Sequence, residues 1–249
     1  MQVEPRPPIA PPPVTPALRF LYRGEQLQRL QQYVIASMLT HVERERDEFH
    51  ALELTDSASA MKIAAKAMST VASTNERISD VQLMLQLFFC RHVDNFQTFL
   101  EETLRAIYTT QPSLLKRAEQ TTVAQVLAYP TMEAYIEDLI ENKIHKLAYK
   151  SLRDFAVILK EDIKFELFPD RKMAESVELS FDVRNLVTHN YGIVNKIFLA
   201  KRPDIGLATG EPYPVDPDHI ATSIKSLVAA SADIEKRAKT KFKLYLGGA

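Results

Sequence analysis

The chain has 249 residues, 46% hydrophobic and 25% charged, enough for one substantial core or a core plus a smaller appendage. Its 31 Lys+Arg against 32 Asp+Glu leave a formal charge of −1, which excludes a strongly basic nucleic-acid coat but allows a local basic patch. Six glycines, with Gly192 alone between Gly24 and Gly206, exclude a Walker loop, a dinucleotide fingerprint and a G-x-S-x-G elbow, and the single Cys90 excludes a disulfide framework or a cysteine-based zinc site.

Seven of the 14 prolines fall within residues 1–16, so this stretch reads as an extended Pro-rich arm with nothing to bury. Residues 17–51 carry Leu27, Leu30, Val34, Met38 and Val42 at steps of three and four, which predicts an amphipathic helix with the charged run ERERDEFH in solvent. Residues 58–72, rich in Ala and Met, suit a second, close-packed helix, and together the two form a predicted N-terminal helical hairpin over 17–75. Ser73 and Glu76 make a capping-box pair opening a helix whose apolar stripe runs Val81, Leu85, Phe88, His92, Phe96, Phe99, Leu104 and stops before Pro112. Thr122 with Gln125, and Thr131, open two shorter helices; Ser151–Phe165 makes another. Residues 171–190 form the next, stopped at Asn190-Tyr191-Gly192, and Asp216-Pro217 caps a final helix through about Lys243. No Asn-Gly hairpin or sustained period-two alternation argues for strands, so the expected fold class is all-α, with the hairpin preceding a helical domain over 76–249.

Of six histidines, His92 lies on an apolar stripe and reads as packed; His41, His50 and His145 sit among charged neighbours and read as surface. His219 follows a helix cap. His189 alone has company suggestive of chemistry: Arg184-Asn185-Leu-Val-Thr-His189-Asn190-Tyr-Gly192-Ile-Val-Asn195. This stretch resembles the signature of the HEPN superfamily, all-α domains marked by an arginine, four to six residues, then a histidine, often with Asn after the arginine. The resemblance extends over 184–199, more diffusely to 92–105 and 147–155, and with the closing helix spans about 76–246. It implies a HEPN-like helical bundle and a metal-independent endoribonuclease of the toxin or phage-defence type, homodimeric, with an antitoxin or other defence-system protein as a further partner. It equally admits a non-catalytic interaction or nucleotide-sensing module, as many HEPN-like proteins are.

On an ideal helix Arg184 and His189 point about 140° apart, whereas Asn185 and His189 share a face. A long arginine reaching round the last turn can still converge with His189, helped by any unwinding at Asn190-Tyr191-Gly192. Arginine offers phosphate a permanently charged planar fork, and histidine titrates near neutral pH. Arg184, His189 and Asn185 are therefore the expected catalytic set: His189 moving the proton of a ribose 2′-hydroxyl or leaving oxygen, Arg184 stabilising the phosphorane. One histidine cannot be base and acid at once, which favours a site completed across two chains. Asn190, Lys196, Lys201 and Arg202 are the expected RNA contacts, Arg153 a weaker one, and Asp94 or Glu102 candidates for orienting the pair; otherwise Arg184 simply pairs with Asp182 or another helix. No metal or cofactor is expected. With no apolar signal core at the start and no run approaching the ~18 apolar residues of a membrane span, a cytoplasmic chain away from membranes is expected.

Overall fold

The computed structural model describes residues 15–43, 80–117 and 122–244. The chain is all-α: α1 (Pro16–Glu43), α2 (Asp80–Thr110), α3 (Val123–Leu127), α4 (Met132–Ala148), α5 (Leu152–Asp162), α6 (Arg171–Asn190), α7 (Lys196–Lys201) and α8 (Pro217–Phe242), with short 3₁₀ turns at Pro112–Arg117 and Pro203–Ile205. Among the described residues the β pairing is one isolated bridge, Ile193 with Pro212. No helix among them is long and apolar enough to cross a membrane. The predicted helix over 58–72 and the Ser73–Glu76 capping box lie outside the described residues, as do residues 1–14 of the Pro-rich arm.

The central helix is α2. Its Leu85, Phe89, Val93, Phe96, Phe99, Leu100 and Leu104 recur at steps of three and four and are all buried. Helices α1, α4, α6 and α8 all pack directly against it, and α6 also packs on α8. Phe96 meets Phe20 of α1 edge-on at 5.7 Å and Phe181 of α6 at 6.3 Å, so one ring ties three helices together. A carbonyl of α1 joins them: Asn95 Nδ2 donates to Phe20 O at 2.9 Å, while the buried Asn95 Oδ1 has no partner among the described residues. Where α6 crosses α8 the contact includes small side chains, with the Ser176 hydroxyl donating to Ser226 Oγ at 2.8 Å.

Most predicted helix starts are capped as the sequence implies. Thr122, Thr131, Ser151 and Asp216 each accept from backbone amides of the following turn, and Asp170 and Asn195 do the same for α6 and for α7, a short helix the sequence reading did not anticipate. Thr15 does the same for α1, its Oγ1 accepting from Leu18 N at 3.1 Å. The arm expected over 1–16 therefore gives way to helix at its last residues: Thr15 is a buried cap and Pro16 the first helical position. The helix expected over Ser151–Phe165 is shorter. It ends at Asp162 because Lys164 takes the left-handed conformation (φ 56), letting Phe165 N bond back to Leu159 O and swinging the Phe165 ring into the core against Phe242. Likewise α8 stops at Phe242, with Lys243 left-handed (φ 52) as its cap.

Candidate active-site cleft

Helix α6 buries Val177, Ser180, Val183 and Leu186, and Phe181, Arg184, Asn185 and His189 follow along the flank of that buried face. There they form one wall of an open cleft of about 410 Å³. Gln97, Leu100 and Glu101 of α2 form a second wall. The third is the α4–α5 junction, Leu147 to Leu152 with Phe155. Gln97 holds two of these walls together, its Nε2 donating to Ala148 O at 3.3 Å and to Glu101 Oε1 at 3.1 Å.

Arg184 is half-buried and fixed. Its Nε and Nη2 both lie 2.9 Å from Asp94 Oδ1, and Nη1 donates to Asn185 Oδ1 at 3.2 Å. Asp94 is thus the carboxylate that orients the arginine, while Glu102 faces α1 instead and pairs with Arg23 and Arg19. Asp182 does not hold Arg184. It holds Arg202 at 2.7 Å and Lys201 at 3.4 Å. Arg184, Asn185 and His189 line the cleft together without any unwinding between them, because α6 stays helical through Asn190. His189 is exposed at the end of that helix.

The helix then stops on a built turn. Tyr191 is left-handed (φ 55), and its amide and that of Gly192 both reach back to Leu186 O. Gly192 has φ 76, and a Cβ there would stand 2.5 Å from the Gln86 amide, so any larger residue would have to displace that side chain in a backbone conformation that favours glycine. Asn190 Nδ2 donates to Ile193 O, and Asn195 Oδ1 accepts from Phe198 N at 2.9 Å to start α7. Three of the residues that carry the sequence resemblance therefore shape the helix end and the chain reversal after it.

Of the expected RNA contacts, Asn190, Lys196, Lys201 and Arg202 do not line the cleft. Arg202 is largely covered and lies between Asp182 and Glu178, and Arg153 pairs with Glu178 at 2.7 Å. Lys196 is exposed. Cleft residues not singled out from sequence are Tyr149, Lys150, Gln97 and Glu101. Their sequence signal was the fainter resemblance at 92–105 and 147–155, which contains all four. Tyr149 presents 80% of its surface to solvent at the rim, its ring edge-on to His145 at 5.0 Å.

Chemistry elsewhere in the chain is muted. Cys90 sits behind Arg184, with its thiol pushed up to about 11 by burial, so it is a poor nucleophile. His92 is buried, as its apolar stripe implies, and burial lowers its pKa to about 4. His219, expected only to follow a cap, is packed between the rings of Phe89 (5.2 Å) and Tyr213 (5.3 Å), and burial lowers its pKa too. Among the described residues no three His, Cys, Asp or Glu side chains are grouped to hold a metal ion. The chain matches no protein-family model, no curated protein and no solved structure.

Proposed function

We propose that the chain is a metal-independent endoribonuclease of the HEPN type, acting as a homodimer, with its chemistry in the cleft of Arg184, Asn185 and His189. One observation carries the reading: these three side chains line a single open cleft, with Asp94 behind the guanidinium. An arginine held on one edge by a carboxylate keeps other N–H donors for a phosphate oxygen. An exposed histidine beside it is a group able to accept or donate a proton. Together they suit attack of a ribose 2′-hydroxyl on the adjacent phosphate: His189 takes the hydroxyl proton or supplies one to the leaving oxygen, and Arg184 meets the charge gathering on the phosphorane. Asn185 adds a neutral donor, and exposed Tyr149 is a face on which a base can stack. The second proton-transfer group is the other chain's His189 in this reading; Glu101, in the same cleft, is the alternative within one chain. The defence role and an antitoxin partner rest on the resemblance alone.

The expected result is RNA cleavage in EDTA leaving 2′,3′-cyclic phosphate ends. Arg184→Ala and His189→Ala should each lose at least about a hundredfold in rate with helical content unchanged. Unaltered cleavage in both variants would move the active site elsewhere. A non-catalytic, architectural role has its own supporting observation, since Arg184 already has a carboxylate partner in Asp94 and Asn190, Gly192 and Asn195 have structural roles. Absence of any cleavage by the wild-type chain across RNA substrates would favour that role.

A further inference from the structure

A second concave surface lies at the far end of α5 from the cleft. Lys164, Phe165 and Glu166, just after that helix, face Lys236, Arg237, Thr240 and Lys241 of α8 across a groove of about 370 Å³. Four of its seven lining residues are cationic and one is anionic, in a chain whose overall charge is −1. The single acid is already neutralised, since Glu166 pairs with Lys160 at 2.7 Å.

The groove is firmly built. Arg237 spans it from beneath, donating to Glu166 O (2.6 Å) and Leu167 O (2.7 Å), pairing with Asp233 and lying 4.9 Å over the Phe165 ring. The Lys241 ammonium bonds to Lys164 O, which steadies the left-handed turn at Lys164. The ammonium groups of Lys164, Lys236 and Lys241 have no carboxylate within 4 Å among the described residues, and all three side chains are exposed. Favourable interaction with the C-terminal end of α8 accounts for Lys241. It does not account for Lys164, which comes from another element, nor for the convergence of both on one hollow.

We propose that this groove binds the phosphate backbone of single-stranded RNA, as a docking site separate from the cleft. The inference rests on the ribonuclease reading for the identity of the polyanion. Lysines are point charges suited to phosphate without base preference, which is the recognition a sequence-tolerant anchor requires. Position supports it as well. Cleft and groove lie at opposite ends of α5, whose 11 residues are about 16 Å long, a length that a strand with bases stacked about 3.4 Å apart covers in about five nucleotides. The groove also provides the uncompensated charge that Lys201 and Arg202, tied to Asp182, do not.

The test is binding rather than cleavage, so that it does not depend on the chemistry at His189. A fluorescent 20-nucleotide oligoadenylate is titrated with the full chain between 50 and 200 mM salt, by anisotropy. Lys164→Gln/Lys236→Gln/Lys241→Gln should weaken binding about a hundredfold at 50 mM salt and by several-fold at 200 mM. It should also make the slope of log K against log salt shallower by about 2, at about 0.7 for each phosphate that is no longer neutralised. Lys236→Glu, at an exposed position, should weaken binding in the same direction and guards against a folding defect in the triple variant. Lys225→Gln, at an exposed position of α8 outside both groove and cleft, should change little. An unchanged affinity and slope in the triple variant, or wild-type protein that binds no RNA at 50 mM salt, overturns the inference. Tight binding to phosphatidylserine vesicles but not RNA through the same lysines overturns it equally. Failure of the ribonuclease reading is seen separately, as lack of Arg184- and His189-dependent cleavage by protein that still binds RNA.

Discussion

At Asp94 a single carboxylate sets what Arg184 can do. The pair is about one-third exposed, so its contribution to stability is about 1 kcal/mol or less, and its effect is on aim. Asp94→Asn should therefore lower the cleavage rate at least tenfold while shifting the urea midpoint little; a large loss of stability with unchanged rate would make the ion pair purely structural. His92 carries the opposite kind of effect, one on stability alone. Its folded pKa is about 4, below the ordinary value of 6.5, so the unfolded chain binds the proton first. Stability is then full above about pH 6.5 and falls as pH drops towards 4, by about 3 kcal/mol in total. His219 shifts in the same direction. Glu25 of α1 lines the small hollow beside His92, yet burial is the cause that sets the shift. Urea unfolding at pH 7 and pH 4.5 checks this: His92→Leu should flatten the difference, and an equal pH dependence in that variant would assign it to other groups.

At the scale of elements, helix ends decide where the side chains of interest arrive. With so few glycines, three described helix ends use Lys164, Tyr191 and Lys243 in the left-handed region, a conformation that costs an ordinary residue about 1 kcal/mol. Lys243→Gly removes that cost at an exposed position and should raise stability by about 0.5–1 kcal/mol, read as a Tm higher by about 2 °C. Gly192→Ala is the converse case. The added methyl meets Gln86 in a backbone conformation hostile to it, so a loss of about 2 kcal/mol and a Tm several degrees lower are expected. Deleting residues 1–16 should cost about 1 kcal/mol more than deleting 1–14, because Thr15 caps α1. These ends also explain what the sequence revealed. Cap residues and the spacing of apolar side chains are local signals, so the stop of α2 before Pro112, the start of α4 and both ends of α6 and α8 were legible within a few residues. The stop at Asp162 was not, because a lysine in a glycine's conformation is imposed by Phe165 finding the core.

Taken whole, the molecule brings together what lies far apart in sequence, and there local pattern no longer suffices. Arg184, Asn185 and His189 were legible as a local cluster on one helix. Gln97, Glu101, Tyr149 and Lys150 fell within the fainter resemblance but were not singled out, since a cleft wall exists only once α2 and the α4–α5 junction have packed beside α6. Pairing was visible only in part: Asp94 was one of three acids offered for Arg184, and nothing in the order of residues said that Asp182 takes Arg202 and leaves Asp94 to take Arg184. The assembly prediction belongs at this scale. If the His189 side chains of two copies share one site, mixing wild-type with His189→Ala subunits should lower activity with about the square of the wild-type fraction, whereas a same-chain site completed by Glu101 should lose activity only in proportion to it. In that second case Glu101→Gln should be as damaging as His189→Ala.

The solitary thiol has a practical consequence. Cys90 is the one cysteine in the sequence, and a pKa of about 11 leaves roughly one thiolate in ten thousand at neutral pH. The native chain is thus already close to a blank background for maleimide and nitroxide chemistry. A cysteine introduced at exposed Tyr149 would take a spin label selectively, and the distance between two such labels would measure how far apart the clefts of paired copies stand.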